Sequence, residues 1–262
     1  MRSDPHLFLA SSRKQGASMS RPWSQTGRRY LSRALNWSQM DWDYAVYQMT
    51  CLASLAPSKL YRATRYHRRT KKQWSRDDPA FLVLFLSSFF MTCFLYGLVY
   101  SGWSVKAGFR LAASQTILWF GIVALVFSSL YVVIANRFLA DPTAGYSSES
   151  WMEPESPRVE WMYALDVYCN ALFGGVFLPL YVMQGVLLRF LVRSRFASCA
   201  LYLFSNAYFW YISWLGYDIL PFLRRTQLLL VPIPSMSAVM LAATFLGEVN
   251  FSQWTWRALH AI

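Results

Sequence analysis

Three polar residues lie inside one long apolar run near the middle of the chain, Asp166, Asn170 and Gln184, within the stretch from Trp161 to Leu188. An offset of four keeps two residues on one helix face and an offset of eighteen is five full turns, so a regular helix carries all three on one stripe. Polar groups facing lipid are costly, and such a stripe must look toward other helices or a wet cavity. Two chemistries fit. One is a proton or substrate path; the other is interhelical hydrogen bonding with an ion pair for Asp166. The second is favoured, because Asp166 stands only about 8 Å of helix rise into the run, within reach of a partner such as Arg137, Arg224 or Arg225.

A second concentration of chemistry is cationic. Lys59, Arg62, Arg65, Arg68, Arg69, Lys71, Lys72 and Arg76 precede the first long apolar run, interleaved with Tyr61, Tyr66 and Trp74. Anionic lipid attracts such a collar, and an indole at Trp74 suits the headgroup zone. Stacking on single-stranded RNA is a weaker alternative for the same aromatics. Asp77 and Asp78 follow the collar. Asp78 before Pro79 is a helix-start signal, since the carboxylate accepts orphan backbone N–H groups and proline is tolerated at the first helical position. Both acids also suit the positive end of a helix dipole. Between two later apolar runs, Asp218, Pro221, Arg224 and Arg225 form a short polar connection that fits either a partner or simple snorkelling.

Other chemistries find no support. His6, His67 and His260 are far apart, so no metal-ligand spacing emerges, and Cys51, Cys93, Cys169 and Cys199 are scattered without a disulfide pattern. Phosphate-loop, nucleophile-elbow and zinc-hydrolase motifs are absent in any supporting context, so no cofactor and no enzymatic activity is expected.

The elements that must position these residues are membrane helices. The 262 residues are 55% hydrophobic and only 15% charged, where about 25% charge is usual for soluble domains. Pro79 to Tyr100 runs 22 residues without charge and Leu111 to Ala135 runs 25, each enough for about 30 Å of hydrocarbon. Further spans are expected over about 161–188, 196–215 and 227–246, the last irregular because of Pro232 and Pro234. Met40 to Leu55 is too short to cross and reads as an amphipathic or interfacial helix, with Ser38 as its cap and Pro57 as its stop. The fold class is therefore all-α: a polytopic helical membrane protein of about five spans with an N-terminal amphipathic helix. The expected units are a flexible basic tail over 1–35, an amphipathic helix and basic segment over 36–78, and a five-span domain over 79–262. Asp141 to Pro157, with three prolines and four acids, reads as an extended loop.

Charge sets the expected orientation. Residues 1–79 hold 15 Lys and Arg against five Asp and Glu, a net +10 of the chain's +12. Seven of those bases fall between Arg62 and Arg76, close enough to the first span for the positive-inside rule to hold the N-terminus in the cytosol. Arg189, Arg193 and Arg195 then fall on the lumenal side, a mild violation. The first 29 residues lack the apolar core of a secretory signal and read as a solvated cytosolic tail rather than a transit peptide.

Four segments carry a resemblance. QWSRDDPAFLVL after the basic run, EWMYALDVYCNA at Glu160 to Ala171, LGYDILPFLRRT at Leu215 to Thr226 and NWSQMDWDYAVYQM at Asn36 to Met49 resemble, in the same order, the signature of the uncoordinated protein 50 family. Two positions depart from it: Tyr168 stands where that pattern usually has His, and Gly174 with Gly175 replaces an early proline. The resemblance implies a Golgi multispanning protein of vesicle-mediated transport, with the early secretory or inner nuclear membrane as alternative locations. It also implies recruitment of large Arf guanine-nucleotide exchange factors and support for surface delivery of membrane receptors. On that expectation the cytosolic face, made of the Met40 to Leu55 helix, the basic collar from Arg62 to Asp78, and the connection bearing Asp218, Arg224 and Arg225, binds partner and anionic lipid together. The alternative is a transporter or lipid-handling protein that uses the Asp166, Asn170 and Gln184 stripe.

Overall fold

The structure is a computed structural model and describes residues 40–71, 78–141 and 158–260. Backbone contacts separate residues 1–40 from Asp41–Ile262, and the architecture that follows is that of the second unit. Its described residues are helical apart from turns and one isolated bridge. In chain order they form α1 (Trp42–Ala53), α2 (Pro57–Lys71), α3 (Ala80–Tyr100), α4 (Val105–Leu139), α5 (Trp161–Val186), α6 (Leu188–Arg193), α7 (Arg195–Asp218), a 3-10 turn (Thr226–Leu230) running into α8 (Pro232–Phe245), and α9 (Phe251–His260).

Four of these segments are long and apolar enough to cross a membrane: α3, α4, α5 and the continuous stretch Thr226–Phe245. The remaining expected span corresponds to α7, whose 24 residues rise about 36 Å. It is less apolar for a packing reason. α7 lies against α2, α5, α6, α8 and α9, and its polar side chains are spent on those neighbours. Ser205 donates to the Gly175 carbonyl, Asn206 to the Ile233 carbonyl at 3.3 Å, and Ser213 accepts from the Tyr131 hydroxyl at 3.1 Å. α5 is the other interior helix: 61% of its most apolar stretch is buried, against 22, 17 and 11% for α3, α4 and the α8 span. Those three turn broad apolar faces outward, toward hydrocarbon.

An aromatic seam fastens the spans. Phe81, Phe85 and Phe89 recur every fourth residue on one face of α3 and mesh with Phe120 of α4 and with Phe173, Phe177 and Tyr181, also spaced by four, on α5. Most of these pairs are tilted or edge-on; the Phe85–Phe120 and Phe85–Phe173 centroids are 4.9 and 5.2 Å apart. Such pairs contribute roughly 0.5–1.5 kcal/mol each beyond their buried area. At the α3–α4 hairpin the backbones touch: a Cβ on Gly97 would stand 2.5 Å from the Gly108 Cα.

Several helix starts and stops differ from those expected. α1 is capped by Asp41, whose Oδ1 accepts from the Tyr44 amide at 3.0 Å, rather than by Ser38, which lies outside the described residues. Pro57 does more than end α1. It opens α2, because a proline at the first position forfeits only an amide that would be orphaned there anyway. The intervening turn places Leu55 at φ 57, with the Ala56 amide donating to the Cys51 carbonyl at 3.0 Å. α3 begins one residue later than expected, at Ala80, with Pro79 in the N-cap position. Asp78 Oδ1 accepts from the Ala80 amide at 3.1 Å. The loop expected between Asp141 and Pro157 lies outside the described residues beyond Asp141 itself.

Candidate docking face and its anchoring contacts

Asp78 fixes two helix starts at once. While one carboxylate oxygen accepts from the Ala80 amide at the start of α3, the other accepts from the Asp41 amide at 2.7 Å and so holds the entrance of α1 beside α3. From there α1 buries Ala45, Gln48, Cys51 and Leu52, positions three and four apart that form a single helix face. Gln48 is the unexpected member of that face. Its amide, fully buried, donates to Asn170 Oδ1 on α5. Asn170, also fully buried, reaches the Tyr61 hydroxyl of α2 at 3.5 Å. One asparagine therefore ties α1 and α2 to α5. On the α7 side, the Tyr208 hydroxyl donates at 2.7 Å to the Leu52 carbonyl, at the end of α1. Tyr208 stands ten residues from the Asp218 end of its helix, so α1 docks about 15 Å along α7, against its middle and not its tip.

With α1 so anchored, α2 presents two faces. Leu60, Tyr61 and Thr64 are buried, and Tyr61 lies where any side chain at Gly216 of α7 would meet its hydroxyl, 3.1 Å from the would-be Cβ. Lys59, Arg62, Arg65 and Tyr66 are exposed on the opposite side. The backbone of Arg68, Arg69 and Lys71 continues α2, although their side chains, like the whole of Lys72, Trp74, Arg76 and Asp77, fall outside the described residues. A segment expected to be a basic collar is thus helical from Pro57 to Lys71, and as far as Tyr66 it packs one face on the bundle and turns a cationic face outward.

The two connections near this end are latched together. Ala140 and Leu223 form an antiparallel bridge, the Arg224 amide donates to the Leu139 carbonyl at 2.7 Å, and the Asp141 amide to the Phe222 carbonyl at 3.0 Å. The Arg224 guanidinium closes the latch on Asp141 at 2.5 Å; the acid is 8% exposed and the arginine 72%. Thr226 donates to Asp218 at 2.7 Å and secures the far side of the connection. Arg225 sits in the left-handed region at φ 55 with its side chain exposed.

The expected polar stripe on α5 is distributed differently. Asp166 is half-buried one turn before Asn170, and Arg224, one of the partners considered for it, is engaged with Asp141. Gln184 meets another part of the molecule: its amide donates at 3.1 Å to Thr255 of α9, which also shares a 2.9 Å bond with Tyr202. The reason is helical register. Leu172 to Met183, with Pro179 inside, is wound in the wider π form, which re-satisfies the backbone around a proline that donates no hydrogen bond. A 3.6-residue period does not carry through that stretch. Gly174 and Gly175 serve the crossing with α7, where a Cβ on Gly175 would stand 2.5 Å from the Phe209 Cα. Tyr168 spans to α4 and donates to the Trp119 carbonyl at 3.1 Å. Gln48 and Tyr208 escaped the sequence reading; the available signal was a lone amide on the face shared by Ala45 and Leu52.

Comparison with known proteins now places the chain. The UNC-50 family model matches residues 30–260. The chain belongs to the UNC-50 family. Among curated relatives it is 32% identical to a protein unc-50 homolog of Dictyostelium discoideum over 223 residues, covering 84% of this chain and 82% of that one. The Drosophila melanogaster unc-50 homolog is 33% identical over 226 residues, covering 84% and 76%. A Schizosaccharomyces pombe protein GMH1 homolog is 34% identical over 223 residues, covering 82% and 89%. No solved structure matches. This UNC-50 family member is thus a membrane-embedded multi-helix protein in which the matched region includes α1 and α2 as well as the spans.

Proposed function

We propose that this UNC-50 family protein is a Golgi membrane adaptor that recruits a large Arf guanine-nucleotide exchange factor to the cytosolic surface, and through it supports vesicle-mediated transport and surface delivery of membrane receptors. The observation that carries the reading is the outward cationic face of α2, Lys59, Arg62 and Arg65, on a helix whose other face is fixed to the bundle by Tyr61. A rigid basic platform suits simultaneous contact with anionic lipid and an acidic partner surface, since long-range attraction raises the encounter rate and sets orientation. The positive-inside bias of the first 79 residues supports a cytosolic location for that platform. The transporter alternative draws less support, because Asn170 and Gln184 bond to different elements, α1 and α9.

The test is charge reversal on the helix. Arg62, Arg65, Arg68, Arg69, Lys71 and Lys72 changed together to Glu should release the exchange factor from Golgi membranes into the cytosolic fraction while the variant protein itself still inserts and reaches the Golgi. Unchanged membrane-bound exchange factor, with the variant present at normal abundance, contradicts the proposal.

A further inference from the structure

Between α4, α7 and the start of the α8 span lies an open apolar groove of about 400 Å³, within the roughly 300–1,000 Å³ typical of sites that enclose small ligands. Phe127 and Phe138 of α4, Trp210 of α7, and Leu228 and Pro232 of the last span contribute walls, and the complete lining is aliphatic or aromatic. Tyr131, the one hydroxyl-bearing wall residue, commits that hydroxyl to Ser213. Two of the walls belong to segments apolar and long enough to cross a membrane, and the rim residues Leu130, Phe138 and Leu228 are 50, 68 and 55% exposed. The molecules that surround such a groove are lipid chains.

Charge at one end narrows the occupant further. Arg137 directly precedes Phe138, and Arg225 accepts through its carbonyl the Leu228 amide at 3.0 Å, so both arginines flank the end of the groove where α4 terminates. Both side chains are exposed, and among the described residues neither stands in an ion pair, whereas neighbouring Arg224 is closed on Asp141. We infer that this groove is a lipid site that takes one acyl chain of an anionic glycerophospholipid, with the phosphate held between Arg137 and Arg225. The inference is independent of the adaptor reading and of which way the chain faces. A basic residue near the bilayer surface favours anionic lipid by about 1 kcal/mol, roughly fivefold, and basic pockets between membrane helices recognise headgroups by this chemistry.

The full-length protein in nanodiscs provides the test, with trace phosphatidylglycerol or phosphatidylcholine carrying a diazirine on the acyl chain. After photolysis, adducts mapped by mass spectrometry should concentrate on 127–139 and 228–232, with phosphatidylglycerol labelling several-fold above phosphatidylcholine. Arg137→Gln with Arg225→Gln should bring that ratio to about one, each arginine accounting for roughly fivefold at most. Leu228→Trp, which fills the groove from its exposed rim, should lower labelling by both lipids there. Labelling at the exposed α3 residues Met91 and Leu95 should stay constant in every variant and reports that the fold is intact. Adducts spread evenly over α3 and α4, or equal labelling of the groove by the two lipids in the native protein, overturn the inference. So does an unchanged ratio in the arginine variant.

Discussion

The bond between Gln48 and Asn170 should control whether α1 stays on the bundle, and the four buried cysteines supply the means to measure it. Both amides are fully buried, so Asn170→Leu removes a partner from a desolvated group, which costs about 1–3 kcal/mol. A change of that size is a factor of about 5–150 in an opening equilibrium. Cys51 lies on the docked face of α1 and is 5% exposed; local undocking exposes its thiol before the spans unfold. In a background with Cys93, Cys169 and Cys199 replaced by Ala, maleimide labelling of Cys51 in native membranes should accelerate by that factor in Asn170→Leu and similarly in Gln48→Leu. Replacing both amides together removes the unsatisfied group, so the double variant should label more slowly than either single one, with a coupling of about 0.5–3 kcal/mol. Equal rates in all four proteins refute the claim that this pair anchors α1. Additive acceleration in the double variant refutes the claim that the two amides act on each other.

Further expectations concern the turn, the latch and the α5–α7 crossing. Leu55 holds φ 57, where an L-residue is disfavoured by roughly 1–2 kcal/mol, so Leu55→Gly should slow Cys51 labelling several-fold. Arg224→Gln should lower stability by about 1 kcal/mol at most, because Arg224 is 72% exposed and solvent screens much of the pair. Its effect should vanish in an Asp141→Asn background, as read from thermal unfolding midpoints in nanodiscs. Gly175→Ala should be a damaging small change in the bundle. A methyl there meets the Phe209 backbone at 2.5 Å, and overpacking of about 1–3 kcal/mol should appear as lower abundance and a depressed unfolding midpoint.

Those outcomes trace back to what the sequence made legible and what it hid. Apolar runs gave α3, α4, α5 and the last span directly, and the Asp78–Pro79 signal marked the start of α3 because a cap is local chemistry. What escaped was non-local or altered the helix period. The alignment of Asp166, Asn170 and Gln184 assumed 3.6 residues per turn, and the π-wound stretch from Leu172 to Met183 removes that assumption. The helical character of the basic segment was masked by its charge; among the described side chains its buried face consists of few residues, Pro57, Leu60, Tyr61 and Thr64, and depends on α7 being present. α9 could have been found. Asn250 with Gln253 three residues later is a helix-start pattern, and Asn250 Oδ1 accepts from the Gln253 amide at 3.1 Å. The docking of Tyr208 on Leu52 joins residues 156 apart in sequence and has no local signature.

On the proposed function, the face bearing α2 is cytosolic and gathers an exchange factor. Proximity labelling in cells from a tag at the N-terminus, paired with protease protection of tags at both ends, tests it most directly. Golgi Arf exchange factors among the labelled neighbours, an N-terminal tag that is digested and a C-terminal tag that is protected are the results predicted. A C-terminal tag digested on intact membranes, with no exchange factor among the neighbours, would contradict both the five-span orientation and the adaptor role.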